Sequence, residues 1–298
     1  MDNEVIVPGS TANLGGGFDT LGVAVQLYLR ARIVDVRNDG GGRLEVTSSR
    51  PAVRGTNVVE RAFAAMAKQA KGPVPTVFAE IDSDIPMAAG LGSSAAAAVA
   101  GLRIFERVTG PLPDTTLLAA ATACEGHADN AAPSLFGGMT SVVEGDDSEP
   151  RALRWHWPED LRFVVATPFD GLSTKRARAA LSPAISRTDA VFNLQRVLSL
   201  VHALQYGEYD RLREALQDRW HQGARAALVP HLGAVLAIDD PDVLGAYLSG
   251  AGPSVAVLAR REFARIERLL ASTCEAAGSP VSVRTLAVHQ DSNVLRFA

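Results

Sequence analysis

The segment Pro86-Met87-Ala88-Ala89-Gly90-Leu91-Gly92-Ser93-Ser94-Ala95-Ala96 carries the clearest chemical signal in the chain. Its two glycines permit a tight turn and a close approach of backbone to a ligand. A helix opening at Ser93 or Ser94 would offer unpaired N–H groups and the positive end of its dipole. Together these features suit an anion, and a polyphosphate is the natural one; either serine hydroxyl could also bind Mg2+. The same residues also fit a serine-capped, alanine-rich core helix after a tight loop.

Two other phosphate chemistries fit less well. A Walker-type loop needs Gly-Lys-Ser/Thr, and no lysine lies in this turn. The pattern Gly90-x-Gly92-x-x-Ala95 matches a dinucleotide fingerprint in form. That fold, however, sets its first glycine at a strand end, whereas residues 82–89 with a proline intervene here. The expected second strand with a terminal acid is also missing.

A second group of chemically capable residues is Glu125-Gly126-His127-Ala128-Asp129-Asn130, and a third comprises Asp19, Arg178 and Arg225. Each has an ordinary structural reading when taken alone. His127 can be a satisfied structural histidine, Arg178 and Arg225 surface cations, Asp19 an Asx-turn residue and Asn57 a helix cap. His156, His202, His221, His231 and His289 show no metal-ligand spacing, so no zinc site is expected. Trp155, Trp157 and Trp220 read as packing residues.

Strands are expected at 5–7, across 21–36 as one or two, and at 44–47, 76–81 and 136–143. Helices are expected from Asn57 to near Gly72, from Ser93 or Ser94 to about 108, and over 114–124. The acidic turn-rich run 145–150 marks an inter-domain linker or an exposed hairpin. Beyond it, strands at 152–157 and 161–166 precede helices over 174–181, 189–206 and 209–217. Strands at 243–248, 255–258 and 281–288 follow, with a helix over 262–277. The order lacks the strict βαβ rhythm of a doubly wound fold, so two α+β domains are expected.

The 298 residues suffice for a sizeable core, and 47% apolar with 21% charged residues is the balance of a globular protein. Lysines and arginines are scattered and the net charge is −4, which argues against nucleic acid as a partner. Two cysteines, Cys124 and Cys274, make no disulfide framework and fit a reducing cytoplasm. The start, Asp2-Asn3-Glu4, lacks a basic n-region, and the apolar stretch 95–102 is too short to span a bilayer.

Three separated segments resemble the GHMP small-molecule kinases. Pro8-Gly9-Ser10-Thr11-Ala12-Asn13-Leu14-Gly15-Gly16-Gly17-Phe18-Asp19-Thr20-Leu21-Gly22 is similar to their first motif, and 86–96 to their phosphate loop P-x-x-x-G-L-G-S-S-A-A. Ser249-Gly250-Ala251-Gly252-Pro253-Ser254 resembles their third motif, a glycine turn near the nucleotide phosphates. Within that superfamily, residues 125–130, followed by Ala132-Pro133 and Phe136-Gly137-Gly138, resemble the homoserine kinase signature, in its variant with one residue between Glu125 and His127.

The resemblance implies an α+β, two-domain GHMP kinase fold. A ribosomal protein S5 domain 2-like N-terminal domain would span 1–148 and a ferredoxin-like C-terminal domain 149–298. It implies ATP and Mg2+ as cofactors, L-homoserine as substrate in threonine biosynthesis, and a homodimer. Asn13, Asp19, His127 and Asn130 would line the substrate pocket, and Arg178 and Arg225 would grip the carboxylate. Asn130 would aim the hydroxyl at the γ-phosphate, and whether Asp129 acts as a base stays open. Ser94 and Glu125 would share Mg2+ with the phosphates. Residues 86–96, with Gly252, would hold the nucleotide phosphates, and Asn57 the adenine. A kinase for another small alcohol, or an ATP-binding member without turnover, are the readings left open.

Overall fold

The computed structural model describes residues 3–290 apart from 54, 56 and 147. Asp2 at the start and Asp147 in the acidic run therefore lie outside the described residues. The first half contains β1 (Glu4–Ala12), β2 (Leu21–Arg37), β3 (Leu44–Arg50), α1 (Val58–Ala67), β4 (Thr76–Ser83), α2 (Ser93–Thr109), α3 (Asp114–Glu125), α4 (Ala131–Phe136), β5 (Met139–Glu144) and β6 (Pro150–Trp155). The second contains β7 (Arg162–Pro168), α5 (Thr174–Ala179), α6 (Arg187–Tyr206), α7 (Leu212–Ala215), α8 (Gln222–Arg225) and α9 (Leu232–Leu236). It closes with β8 (Gly245–Leu248), β9 (Val255–Ala259), α10 (Phe263–Ala276) and β10 (Val281–Leu286).

The single 17-residue strand β2 organises the first sheet, ordered β3-β4-β2-β5-β6. Its N-terminal end pairs with β5, its C-terminal half with β4, and β1 pairs along it in antiparallel register. The second sheet, β10-β7-β9-β8, is antiparallel throughout. With α10 crossing between β9 and β10, it has the ferredoxin-like order expected. The main apolar core runs from Val23, Phe63 and Leu102 of the first half to Phe163, Leu204 and Tyr247 of the second. A smaller core lies between β7, β9, α9 and α10. Among the described residues no helix is long and apolar enough to cross a membrane.

Several expectations change in the folded chain. Of the two readings of the acidic run the hairpin holds, since the strands on either side, β5 and β6, pair from Met139–Trp155 to Glu144–Pro150 within one sheet. The first sheet ends with β6 at Trp155 and the second begins with β7 at Arg162. Trp157 leaves the strand direction, buries its ring and donates its indole N–H to the Leu161 carbonyl at 2.9 Å. Residues 131–136 wind into α4, which Gly137 and Gly138 end with φ of 71° and 65°, so the strand there starts at Met139. Strand β1 continues through the glycine-bearing segment to Ala12 by pairing with β2 across a bulge at Pro8/Gly9. The helix read over 209–217 is a 3-10 turn followed by the four residues of α7.

Candidate active site

Helix α2 begins at Ser93, but its cap is Gly92, at φ 70°, with no side-chain hydrogen bond. The serine-capped reading therefore fails, and both hydroxyls are left for other work. Left-handed backbone recurs at every second residue of the loop: Ala88 (φ 52°), Gly90 (77°) and Gly92 (70°). Such alternation curls successive N–H groups towards one concave side, a backbone nest for anions.

The loop's carbonyls all turn the other way. Ala88 O accepts from Leu172 N (2.9 Å), Ala89 O from Ser254 N (3.2 Å) and Gly90 O from Ser249 Oγ (2.6 Å). Leu91 O accepts from Ser10 N (3.1 Å) and Gly92 O from Ala96 N (2.9 Å). No hydrogen bond from the N–H groups of residues 90–95 to another described residue accompanies them. Acceptors face protein and donors remain for a ligand.

These bonds also join the three motif segments. Thr11 Oγ1 lies 2.8 Å from both Tyr247 OH and Ser249 Oγ, and Gly250 N donates to Ala12 O at 3.1 Å. Asn13, at φ 76°, donates Nδ2–H to Gly250 O (2.8 Å) and accepts from Asp19 N (3.1 Å). Ser10, fully buried, donates to both the backbone carbonyl and Oδ1 of Asn130, at 3.1 and 3.0 Å. Gly92 is packed so close that a Cβ there would lie 2.1 Å from Ser10 Oγ. Ser10 thus links the loop to Asn130, a role that no local spacing in the sequence signals.

A cleft opens over this assembly. Its walls include Ser93, Ser94 and Glu125 on one side, His127, Asp129 and Asn130 on another, and Asp19, Arg178 and Arg225 opposite. Ser94 Oγ donates to Glu125 Oε1 at 2.7 Å, which brings a hydroxyl and a carboxylate oxygen together at the helix start. Among the described residues no group of three or more His, Cys, Asp or Glu forms a metal cluster, so a cation here would take its remaining ligands from bound phosphate and water.

Asp129 is buried, and its Oδ1 lies 2.7 Å from His127 Nδ1 and accepts from Asn130 N at 3.0 Å. That hydrogen bond raises the His127 pKa above its ordinary value despite the opposing effect of burial. Arg178 forms a two-pronged pair with Asp19, at 2.9 and 2.7 Å. Arg225 is different. It is 1% exposed and has no carboxylate partner among the described residues; it donates to Ala177 O (3.2 Å) and Gly250 O (3.0 Å), and its NH1 lies 3.2 Å from His221 Nδ1. Burial, reinforced by the charge of Arg178, lowers its pKa. Both guanidinium carbons lie near the face of Phe18, at 5.7 and 5.4 Å from the ring centre.

Some expected residues stand elsewhere. Pro86, Leu91 and Ala96 do not line the cleft; Leu91 and Ala96 are buried in the core. Gly252 sits behind the loop, where its N and O lie against Gly90, and Gly250 and Ala251 form that wall instead. Asn57 caps α1 by accepting from Val59 N at 3.0 Å. With Met87 it also lines a second pocket of about 220 Å³, among Leu29, Val53, Val58 and Ala97. This apolar pocket and the cleft share Ala88, Ser93 and Ser94, so the loop is the partition between them.

The chain resembles known proteins over nearly its whole length. The model for the GHMP kinases N terminal domain matches residues 57–138, and that for the GHMP kinases C terminal matches 200–276. The chain is 38% identical to a homoserine kinase of Synechococcus, an alignment covering 97% of this chain and 96% of that protein. It is 42% identical to a homoserine kinase of Deinococcus radiodurans, over 84% and 82% of the two chains. It superposes on the crystal structure of a homoserine kinase from Cytophaga hutchinsonii with a TM-score of 0.84 at 26% identity, covering 98% of this chain and 96% of that one.

Proposed function

The chain belongs to the GHMP kinases, and we propose that it transfers the γ-phosphoryl group of ATP to the hydroxyl of L-homoserine, a step of threonine biosynthesis. One observation carries the choice of substrate: Arg225 is a buried guanidinium with no carboxylate paired to it among the described residues, next to the Asp19–Arg178 pair. Burying an unpaired cation costs several kcal/mol, and a ligand carboxylate would relieve it. A zwitterion fits the whole group. Its carboxylate takes the two guanidiniums, for which fork geometry is well suited, and its ammonium takes Asp19, so each charge of the ligand meets an opposite one.

The two pockets supply the remaining parts. The apolar one accepts a nucleotide base, and the loop's unpaired N–H groups meet the polyphosphate at the partition. Ser94 and Glu125 fit a hard cation such as Mg2+, whose bound charge would offset that of the phosphates. Asn130, held through its side-chain oxygen by Ser10, keeps its amide group beside the cleft to orient the hydroxyl. Asp129 is already engaged by His127 and the Asn130 N–H, which supports a positioning role. Phosphoryl transfer needs little more, since alignment and charge neutralisation supply most of the acceleration.

A coupled ADP-release assay over homoserine, mevalonate, galactose and shikimate tests the substrate. ADP formation is expected with homoserine; release with another alcohol alone, or with none, refutes the reading. Arg225→Ala is expected to raise the homoserine KM by the equivalent of about 1–3 kcal/mol while leaving the ATP KM nearly intact. The reverse pattern would remove Arg225 from the substrate side.

A further inference from the structure

His221 lies behind the cleft wall, fully buried, four residues before Arg225 and on the same helical face. Its Nε2 is 2.9 Å from the carbonyl of Gly15, and its Nδ1 is 3.2 Å from Arg225 NH1. The partners fix the tautomer without further assumption. A carbonyl only accepts, so Nε2 carries the hydrogen; a guanidinium only donates, so Nδ1 presents a lone pair.

The surroundings hold the ring in that state. Asp218, in the turn before α8, is too far from Nε2 at 3.9 Å for a hydrogen bond. Its carboxylate instead accepts the backbone N–H groups of Trp220, His221 and Gln222, at 3.0, 2.8 and 2.8 Å, and Asn193 Nδ2 at 2.8 Å. The Phe18 ring stacks on the imidazole with centres 5.2 Å apart, and the same ring lies under both cleft guanidiniums. The charged groups around His221 are Asp218 beside it, Arg225 on its own helix and Asp19 from the glycine-rich loop.

We propose that His221 is a positioning residue for substrate binding: as the neutral Nε2–H tautomer it supplies the acceptor that sets the Arg225 guanidinium for the substrate's carboxylate. This rests on Arg225 being the carboxylate anchor. A protonated ring would turn an N–H towards an N–H and push the guanidinium out of line. Burial lowers the His221 pKa below its ordinary 6.5, so the acceptor form persists through neutral pH and is lost on the acid side.

The test compares wild type, His221→Gln, His221→Asn and Arg225→Ala by steady-state kinetics over pH. A glutamine amide reaches the Nε2 position and keeps the Gly15 contact but leaves Nδ1 unmatched; an asparagine oxygen falls near Nδ1. His221→Gln is expected to raise the homoserine KM about tenfold, with the ATP KM moving by less than about twofold. His221→Asn recovers most of that loss. The wild-type homoserine KM rises on the acid side of the ordinary histidine range, and the part due to His221 disappears in His221→Asn. Nitrogen-15 spectra of the wild type show Nδ1 unprotonated at neutral pH.

An unchanged homoserine KM in His221→Gln, with Arg225→Ala still impaired, overturns the His221 role alone. Equal damage to kcat and both KM values in the two His221 variants would mean a general structural role and also overturns it, as does a protonated Nδ1. An Arg225→Ala protein with normal homoserine KM overturns the anchor reading and this one with it. If His221→Gln does not fold, His221→Asn and the wild-type pH profile still decide.

Discussion

Gly92→Ala probes the loop most directly. The residue sits at φ 70°, where a Cβ costs about 1–2 kcal/mol, and that Cβ would lie 2.1 Å from Ser10 Oγ, 3.0 Å from Ser10 N and 3.2 Å from Ser10 O. The Ser10 side chain can rotate, but its backbone is fixed in β1 by pairing with Ala24. Rotation breaks the hydrogen bonds to Asn130, worth about 1 kcal/mol net, and the loop must still shift by a few tenths of an ångström to clear the backbone. A stability loss of about 2–3 kcal/mol is therefore expected from the two terms. A displacement of that size in the phosphate-facing loop is expected to lower kcat/KM several-fold. Urea denaturation and the coupled ADP assay read the two effects. Gly233→Ala is the comparison: it lies in α9, where an added Cβ meets nothing within 4 Å, and should gain about 0.5–1 kcal/mol. Should Gly92→Ala match wild type within about twofold in kcat/KM and in stability, the loop is not a rigid partition.

Ser10→Ala leaves the Asn130 side-chain oxygen without its donor, so kcat should fall about tenfold with the ATP KM little changed; equal kcat would show that Asn130 needs no anchor. Ser94→Ala should mainly lower turnover and raise the Mg2+ concentration needed for half-maximal rate, and unaltered Mg2+ dependence would take Ser94 out of the metal site. His127 has a raised folded pKa, so the protonated ring adds stability that is fully present below about pH 6.5 and is lost as pH rises through the folded value. The urea midpoint of wild type relative to His127→Gln should accordingly shrink from pH 6 towards pH 9; a gap that is flat or widens would mean His127 is not held by Asp129 as a cation.

The parts of the site that are legible in the sequence are those whose physics is local. A glycine turn before a small-residue helix start announces an anion cradle within a dozen residues, and helices such as α2, α3 and α10 follow from apolar periodicity and end signals. What is not legible acts across the chain. Ser10 meets Asn130 from 120 positions away, and His221 meets Gly15 from 206. His221 has no metal spacing to mark it, although its four-residue offset from Arg225 is a usable sign that the two share a helical face. Helix α8 itself, four residues long, has too few turns to show periodicity. The hairpin at 144–150 is ambiguous for a similar reason, since strand pairing decides between a linker and a turn, and composition does not record pairing.

The unfavourable features of this fold concentrate where the ligands are expected. Of the six non-glycine residues with left-handed backbone among the described residues, Asn13, Asp19 and Ala88 border the cleft and Leu14 adjoins it in sequence, while Ser148 and Glu262 lie elsewhere. Arg225 is buried with no carboxylate hydrogen-bonded to it among the described residues, while the loop's N–H groups from 90 to 95 find no protein acceptor there. Strained backbone and an unpaired cation each cost on the order of 1–5 kcal/mol and persist only where surrounding structure enforces them. Here the enforcement is visible: Ser10, Thr11, Ser249 and His221 are buried polar groups satisfied by one another and by the motif backbones. That division of labour, with satisfied groups behind and unsatisfied groups in front, is what preorganisation requires. Three of these four, Ser10, Thr11 and Ser249, lie inside the first and third motifs, so the motifs build the layer behind the cleft as well as its lining, and His221 joins that layer from outside them.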